Sequence, residues 1–181
     1  MKNALIAIGI VAALIGGYFL LRPSAKVKAL ESAGLGGMNV SELLEELEER
    51  TDEPDTLRAS VTSAALTILW EGDTHTFEIP EGWFYLSVAP YVENTHPCGT
   101  HNLITCRGEL KNQTFQVVVT DQEGAILLNE TRITHANGFM GLWLPSDIQG
   151  TITITYGSLT ASGDIATFTT SNTCLTTLQL S

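Results

Sequence analysis

The sequence has few basic residues, and beyond the N-terminal segment its acidic residues greatly outnumber them. Nine Lys and Arg oppose 20 Asp and Glu among 181 residues, which gives a formal net charge of −11. Four of the nine basic residues lie in the first 28 positions. The remainder holds five basic residues against all 20 acidic ones, a formal charge of −15. A surface this acidic repels phosphate backbones, which argues against nucleic-acid binding.

The sequence also lacks the motifs of several enzyme classes. It contains no glycine-rich phosphate-binding loop and no Gly-x-Ser-x-Gly nucleophile elbow. Carboxylates are abundant, but no pair has a context that singles it out for acid–base chemistry. The composition, 44% hydrophobic and 16% charged, allows a packed core, and the length suits one domain with accessory segments.

Cysteine is scarce, and its placement is informative. Cys98 and Cys106 share one segment with His96 and His101, and Cys174 follows much later. Thiolates and imidazoles are the ligands that Cu(I) and Zn(II) select, although the spacing matches no standard zinc finger. Two interpretations stay open: a metal site, or a loop disulfide between Cys98 and Cys106. Because three is odd, one thiol is unpaired unless it bridges two chains or binds a metal.

The cysteines and their surroundings carry a family resemblance. The motifs are His96-Pro-Cys98, His101-x-Leu-x-Thr-Cys106-Arg-Gly-Glu109, Asn137-Gly-Phe-x-Gly-Leu-Trp-Leu-Pro145, Thr173-Cys-Leu-Thr-Thr-Leu-Gln-Leu180 and Phe84-Tyr-Leu-Ser-Val-Ala-Pro-Tyr-Val92. Together they resemble the CueP family of extracytoplasmic bacterial copper-binding proteins. The resemblance runs from about Gly34 to Leu180 and includes all three cysteines.

The resemblance implies a copper site. It makes Cys98, Cys106 and Cys174 the expected Cu(I) ligands, since Cu(I) is satisfied by two or three thiolates. His101 lies between the two loop cysteines and is expected to be a further ligand or a gate, and His96 is a weaker candidate. Zinc is the less favoured metal, and it would take its fourth ligand from one of these histidines.

The resemblance also implies a function, which has two rivals. It implies copper sequestration and resistance, with copper delivery to a copper–zinc superoxide dismutase, and no enzymatic activity. One rival is a Cu(II) reductase in which Cys98 and Cys106 oxidise to a disulfide and Cys174 resolves it. The other is a β domain for protein recognition that a Cys98–Cys106 disulfide stabilises. Arg107, beside Cys106, is expected to lower the pKa of that thiol.

The N-terminal segment predicts export. Ala4–Leu21 is an uncharged run of 18 residues, long for a signal-peptide core and at the lower limit for spanning a bilayer. Positive charges after the run would by themselves favour the opposite orientation. The resemblance implies export, so we expect residues 1–29 to be a signal peptide or membrane anchor. The rest would then lie in the periplasm or at the outer face of the cytoplasmic membrane.

Residues 30–58 are predicted to form a small helical module. Val40, Leu43, Leu44 and Leu47 repeat at helical spacing, and Asn39 with Glu42 has the pattern of a capping box. The acidic residues are placed on the opposite, solvated face: Glu45, Glu46, Glu48 and Glu49. The leucine stripe needs a partner, and the resemblance favours a role for this module in a homodimer.

Residues 59–181 are predicted to form an antiparallel β-sandwich, so the fold class is mainly β. Short runs rich in Val, Ile, Thr and aromatic residues recur between turn signals. Phe115, Val117 and Val119 alternate on one face of such a run. The three tryptophans are expected in the core, and His75 and His135 are expected to be structural or surface residues. Because strand ends and loops gather at one pole of a sandwich, Cys174 can meet the loop that holds the other cysteines.

Overall fold

The computed structural model describes residues 30–52 and 54–181. The predicted export or anchor segment lies outside the described residues. In the described part, no helix has the length and apolar character needed to cross a bilayer. The chain divides into two compact units between Met38 and Asn39. Among the described residues of the first unit, Glu31–Ala33 form a 3-10 turn.

Helix α1 spans Val40–Glu49 and opens the second unit. Its N-terminus is fixed by the predicted capping box, which the structure confirms. The Asn39 side chain accepts hydrogen bonds from the backbone N–H groups of Ser41 and Glu42, and the Glu42 carboxylate accepts one from the Asn39 N–H. These bonds satisfy donors that have no partner inside a helix. The predicted boundary at residue 58 and the role in a dimer stay predictions.

One helical position differs from the sequence interpretation. The three leucines of α1 are fully buried, as their spacing predicts, but Glu48 is also fully buried. Its placement on the solvated face was therefore wrong. The apolar face of a helix continues at i, i+3, i+4, i+7 and i+8, and Glu48 stands eight residues after Val40. The helical period places its carboxylate on the inward face.

The described residues contain eleven strands: β1 (Leu57–Val61), β2 (Ala65–Trp70), β3 (Asp73–Glu78), β4 (Trp83–Val88), β5 (His101–Asn102), β6 (Thr114–Asp121), β7 (Ile126–Ile133), β8 (Met140–Pro145), β9 (Gln149–Tyr156), β10 (Leu159–Ala166) and β11 (Cys174–Leu175). They form three sheets in the orders β3-β2-β1-β5, β10-β9-β6-β7 and β11-β4-β8. Every pairing within these sheets is antiparallel except that of β11 with β4, which is parallel. The predicted mainly β fold is confirmed.

The main core lies between the β11-β4-β8 sheet and the β10-β9-β6-β7 sheet. The predicted alternation on β6 is confirmed, because Phe115, Val117 and Val119 all lie in this core. From the opposite sheet, Phe84, Leu86 and Val88 of β4 enter the same core; the intervening residues of β4 face the other way. Two packed sheets with inward apolar residues make a sandwich.

The outer face of β4 carries Trp83, Tyr85 and Ser87. Tyr85 and Ser87 are buried and reach the Glu48 carboxylate of α1. Trp83 is 48% exposed, so its prediction as a core residue was wrong. It begins its strand beside Val40, the first residue of α1, where the helix no longer covers the sheet. The sheet face toward α1 therefore offers polar groups to the helix.

Two loops cross closely near the end of the sandwich. The Gly108 N–H donates to the carbonyl oxygen of Asn137 at 2.7 Å, and Gly138 has a φ of +87°. A Cβ on Gly138 would overlap the backbone of Gly108. The crossing therefore requires glycine at position 138. It also places the neighbouring Asn137 against Glu48 and Phe139 against His101.

Gly138→Ala is expected to lower the free energy of unfolding by about 2–3 kcal/mol, because it combines a left-handed backbone with a backbone overlap. Chemical denaturation measures the change. Gly124→Ala is the matched control, since Gly124 has a φ of +84° and open space around the added carbon. The control should lose only about 1 kcal/mol. Equal losses for the two variants would contradict a tight crossing.

Candidate metal centre

Four side chains that can bind a metal converge at one end of the fold. They are Cys98, His101, Cys106 and Cys174, and their ligand atoms all lie within 4.8 Å of one another. Cys98 and Cys106 flank the short strand β5, His101 begins that strand, and Cys174 begins β11. The loop and the last strand therefore meet, as one shared site requires.

Backbone hydrogen bonds hold the two segments together. The N–H groups of Thr173 and Cys174 donate to the carbonyl oxygen of Gly99 at 3.0 and 3.2 Å. The Thr173 hydroxyl donates to the carbonyl oxygen of Val61 at 2.7 Å and accepts from the N–H of His101 at 3.2 Å. Thr173 thus links β1, β5 and β11, and the pairing of β11 with β4 fixes the position of Cys174.

The cysteines are present as one disulfide and one thiol. The disulfide joins Cys98 and Cys174, and Cys106 is the free cysteine. The alternative with a Cys98–Cys106 disulfide is not the one in this structure, because β11 brings Cys174 against the Cys98 loop. The Cys106 sulfur still lies 3.8 Å from that of Cys98. A site with three thiolate ligands therefore requires reduction of the disulfide.

His101 is completely buried and is contacted on several sides. Its Nδ1 lies 3.5 Å from the Cys174 sulfur, and its Nε2 lies 3.0 Å from Oε2 of Glu48. The Phe139 ring packs against the imidazole with the ring centroids 4.3 Å apart. The side chain is therefore held with Nδ1 toward the sulfurs, an arrangement suited to a ligand. Its role as a ligand stays a prediction.

His96 lies at the margin of this centre, outside the group of four. Its ring approaches Phe139 with the centroids 6.2 Å apart, and its carbonyl oxygen accepts from the Thr176 hydroxyl at 2.7 Å. Its Nε2 is shielded from solvent. The ring is close enough to Cys106 to help lower the pKa of that thiol. His96 therefore stays the weaker ligand candidate.

Sequence reasoning missed Glu48 as a residue of this centre. Its carboxylate accepts hydrogen bonds from the Ser87 hydroxyl at 2.9 Å, the Tyr85 hydroxyl at 3.4 Å and the Asn137 amide, in addition to His101 Nε2. The signal that could have revealed it is its place on the apolar face of α1. Its polarity instead suggested solvent exposure.

The electrostatics of the centre follow from these contacts. Burial lowers the pKa of His101, but the Glu48 charge and a hydrogen bond to Cys106 outweigh this and raise it to about 9. Burial raises the pKa of Glu48, and the charge and hydrogen bond of His101 lower it below its usual value. Burial also raises the pKa of Cys106, and hydrogen bonds from His101, Asn102 and His96 bring it down to about 7.

Arg107 was expected to lower the pKa of Cys106, but it is not the main cause of the lowered value. The largest contribution that lowers the pKa of Cys106 comes from His101, whereas Nη1 of Arg107 donates to the carbonyl oxygen of Cys106 at 2.9 Å. The other two histidines lie outside this group of four. His75 is buried on β3, and Nδ1 of His135 lies 2.7 Å from a carboxylate oxygen of Glu49.

Comparisons with known proteins identify the family of this chain. A family model described as periplasmic copper-binding protein CueP matches residues 40–179. A solved structure described as the crystal structure of S.CueP is 37% identical, with a TM-score of 0.80, and the match covers 88% of this chain and 99% of that one. No curated protein sequence matches this chain. On its sequence, its fold and the extent of both matches, the chain belongs to the CueP family of periplasmic copper-binding proteins.

Proposed function

We propose that this protein binds Cu(I) in the periplasm through Cys98, Cys106 and Cys174, with His101 as a further ligand. The observation that supports this most directly is the convergence of three sulfurs and one imidazole within 4.8 Å. Thiolates are the ligands that Cu(I) prefers, and Cu(I) needs no fixed geometry or open position. His96 would assist at the margin of the site.

Zinc is the competing metal for the same residues. Three cysteines and one histidine also make a recognised tetrahedral zinc set. Membership of a copper-binding family favours copper. A direct competition between the two metals at equal concentrations distinguishes them.

The partial exposure of the site supports sequestration followed by transfer. Cys98 and Cys106 are partly exposed, whereas His101 and Cys174 are buried. An acceptor can therefore reach two of the sulfurs while the Cys174 sulfur and His101 keep the metal in place. We propose a role in copper resistance, with delivery to a protein such as copper–zinc superoxide dismutase. Export by residues 1–29 and assembly as a homodimer belong to the same proposal.

The disulfide favours a second function, the reduction of Cu(II) to Cu(I). Two thiols that become a disulfide release two electrons and two protons, enough to reduce two Cu(II) ions to Cu(I). The structure joins Cys98 to Cys174, so these two replace the pair expected from the sequence. Cys106 lies 3.8 Å from Cys98 and would remain to hold a product ion.

The reduced protein should bind one Cu(I) per chain when it is titrated without oxygen against a chromogenic Cu(I) chelator. Cys98→Ser, Cys106→Ser and Cys174→Ser should each weaken the affinity by about 100-fold or more. Loss of a direct ligand should exceed the effect of outer residues, about 10- to 100-fold. His75→Ala is the control and should bind as the unmodified protein does. A Cu(I) affinity that Cys174→Ser leaves unchanged, or displacement of Cu(I) by zinc, would contradict the proposal.

The same preparation tests the reductase function. Reduced protein is mixed with Cu(II) without oxygen, and thiols and Cu(I) are counted. Loss of two thiols with two Cu(I) formed, and a Cys98–Cys174 disulfide found by peptide mapping, supports reduction. Unchanged thiols leave binding as the function.

A further inference from the structure

We propose that Glu48 is a positioning residue of the metal centre: its carboxylate keeps a hydrogen of His101 on Nε2, so that Nδ1 is the nitrogen that gives up its hydrogen and presents a lone pair to the metal. This inference rests on the proposed function, because it concerns the same site. It assigns to helix α1 a part in metal binding that neither the family description nor the sequence motifs contain.

The first observation is the burial of Glu48 among groups that donate hydrogen bonds. The carboxylate is fully buried next to leucine positions of the helix, where an apolar residue would normally pack. It accepts from the Ser87 and Tyr85 hydroxyls on one oxygen and from His101 and Asn137 on the other. Four convergent donors hold this carboxylate in one orientation.

The second observation fixes which way the Asn137 amide points. Its Oδ1 accepts from the backbone N–H of Phe139 at 2.8 Å, so its Nδ2 faces Glu48. The oxygen of Glu48 that receives this amide is the same one that faces His101 Nε2 at 3.0 Å. Nε2 therefore meets an acceptor, which keeps a hydrogen on Nε2 in both the protonated and the neutral ring.

The third observation is the direction of the other ring nitrogen. Nδ1 of His101 lies 3.5 Å from the Cys174 sulfur, within the group of sulfurs. Metal-binding histidines commonly donate their second N–H to a carboxylate, which fixes the ring and makes the ligand nitrogen more basic. Phe139 packs against the ring and fixes its place, whereas Glu48 fixes its hydrogen.

The test compares Glu48→Gln with Glu49→Gln in the full chain, reduced and loaded with Cu(I). The control is closely matched, because Glu49 is the next residue on the same helix and its carboxylate also faces a histidine, His135, which is outside the group of four. We expect Glu48→Gln to weaken Cu(I) affinity by about 10- to 100-fold. Glu49→Gln should leave the affinity unchanged. Equal affinities for the two variants would overturn the inference.

A cycle with His101→Ala shows whether Glu48 acts through the imidazole. In that background Glu48→Gln should cost no further Cu(I) affinity. An undiminished additional loss would overturn the inference, because Glu48 would then act on the site by another route.

Nitrogen-15 NMR of the unmodified Cu(I) form does not depend on any variant folding. Cu(I) is diamagnetic, so the His101 ring can be observed directly, and we expect hydrogen on Nε2 and copper on Nδ1. Copper on Nε2, or hydrogen on Nδ1, overturns the inference even if Cu(I) binds tightly. A protein that binds no Cu(I) through its cysteines instead overturns the proposed function on which the inference rests.

Discussion

Glu48→Ala is expected to lower the free energy of unfolding of the disulfide form by about 3–5 kcal/mol. The substitution leaves the buried imidazole of His101 without its counter-charge and removes the acceptor of Ser87, Tyr85 and Asn137. Donors that stay buried without an acceptor lose their solvation and gain nothing in return. Urea denaturation without metal measures the change.

Glu49→Ala is the control for this experiment. Its carboxylate is exposed and pairs with His135, and exposed pairs contribute at most about 1 kcal/mol. A loss for Glu48→Ala no larger than this would show that the buried carboxylate is not held as the structure describes.

The stability that the buried pair of Glu48 and His101 contributes should depend on pH. The pKa of folded His101 is raised to about 9, so its contribution is complete below its usual pKa of 6.5 and disappears as the pH rises through about 9. The pKa of Glu48 is lowered, so its contribution is present above 4.5 and disappears as the pH falls further. The difference between the unmodified protein and Glu48→Ala should therefore be largest between about pH 4.5 and 6.5.

Unfolding at pH 6 and at pH 9.5 checks this dependence. The charged groups that face His101 are Glu48 and Cys106, and Cys106 itself titrates near pH 7. Both proteins should therefore carry Cys106→Ser, which removes that second titration. A difference in stability that is the same at both pH values would contradict the ion pair.

Reduction of the Cys98–Cys174 disulfide is expected to have the second large effect on stability. The bridge spans 76 positions, and opening a loop of that length is expected to lower stability by about 4 kcal/mol through the entropy of the unfolded chain. Cu(I) should restore part of this loss, because a ligand that binds only the folded chain stabilises it. Thermal unfolding with and without reductant, and then with Cu(I), measures both steps.

Two cysteine variants separate the disulfide from the metal. Cys106→Ser keeps the bridge, so it should lose stability on reduction as the unmodified protein does, but it should regain less with Cu(I). Cys174→Ser lacks the bridge across 76 positions, so it should not show the loss of about 4 kcal/mol on reduction. Stability of the unmodified protein that is unaffected by reductant would show that the bridge does not constrain the chain.

Local interactions made much of this protein predictable from its sequence. The capping box of α1 joins residues three apart, and the alternation of Phe115, Val117 and Val119 follows from the pleat of a single strand. The motifs around the cysteines identify the family because they are contiguous. Each of these signals lies within a few residues, where the chain fixes the geometry by itself.

The pairing of the cysteines could not be predicted in this way. Cys98 and Cys106 are neighbours in the sequence, yet the bridge joins Cys98 to Cys174. That choice depends on the parallel register of β11 against β4 and on the hydrogen bonds that β11 makes to Gly99. Such contacts form between segments that are distant in the sequence, so no local sequence pattern predicts them.

The sequence determines one part of the role of Glu48, and the tertiary structure determines the other. The helical period places it on the inward face of α1, which the sequence determines. Whether a carboxylate can remain there depends on donors from elsewhere: His101 from β5, Ser87 from β4 and Asn137 from the loop before β8. A buried charge is tolerated only where such partners converge, and only the tertiary structure brings them together.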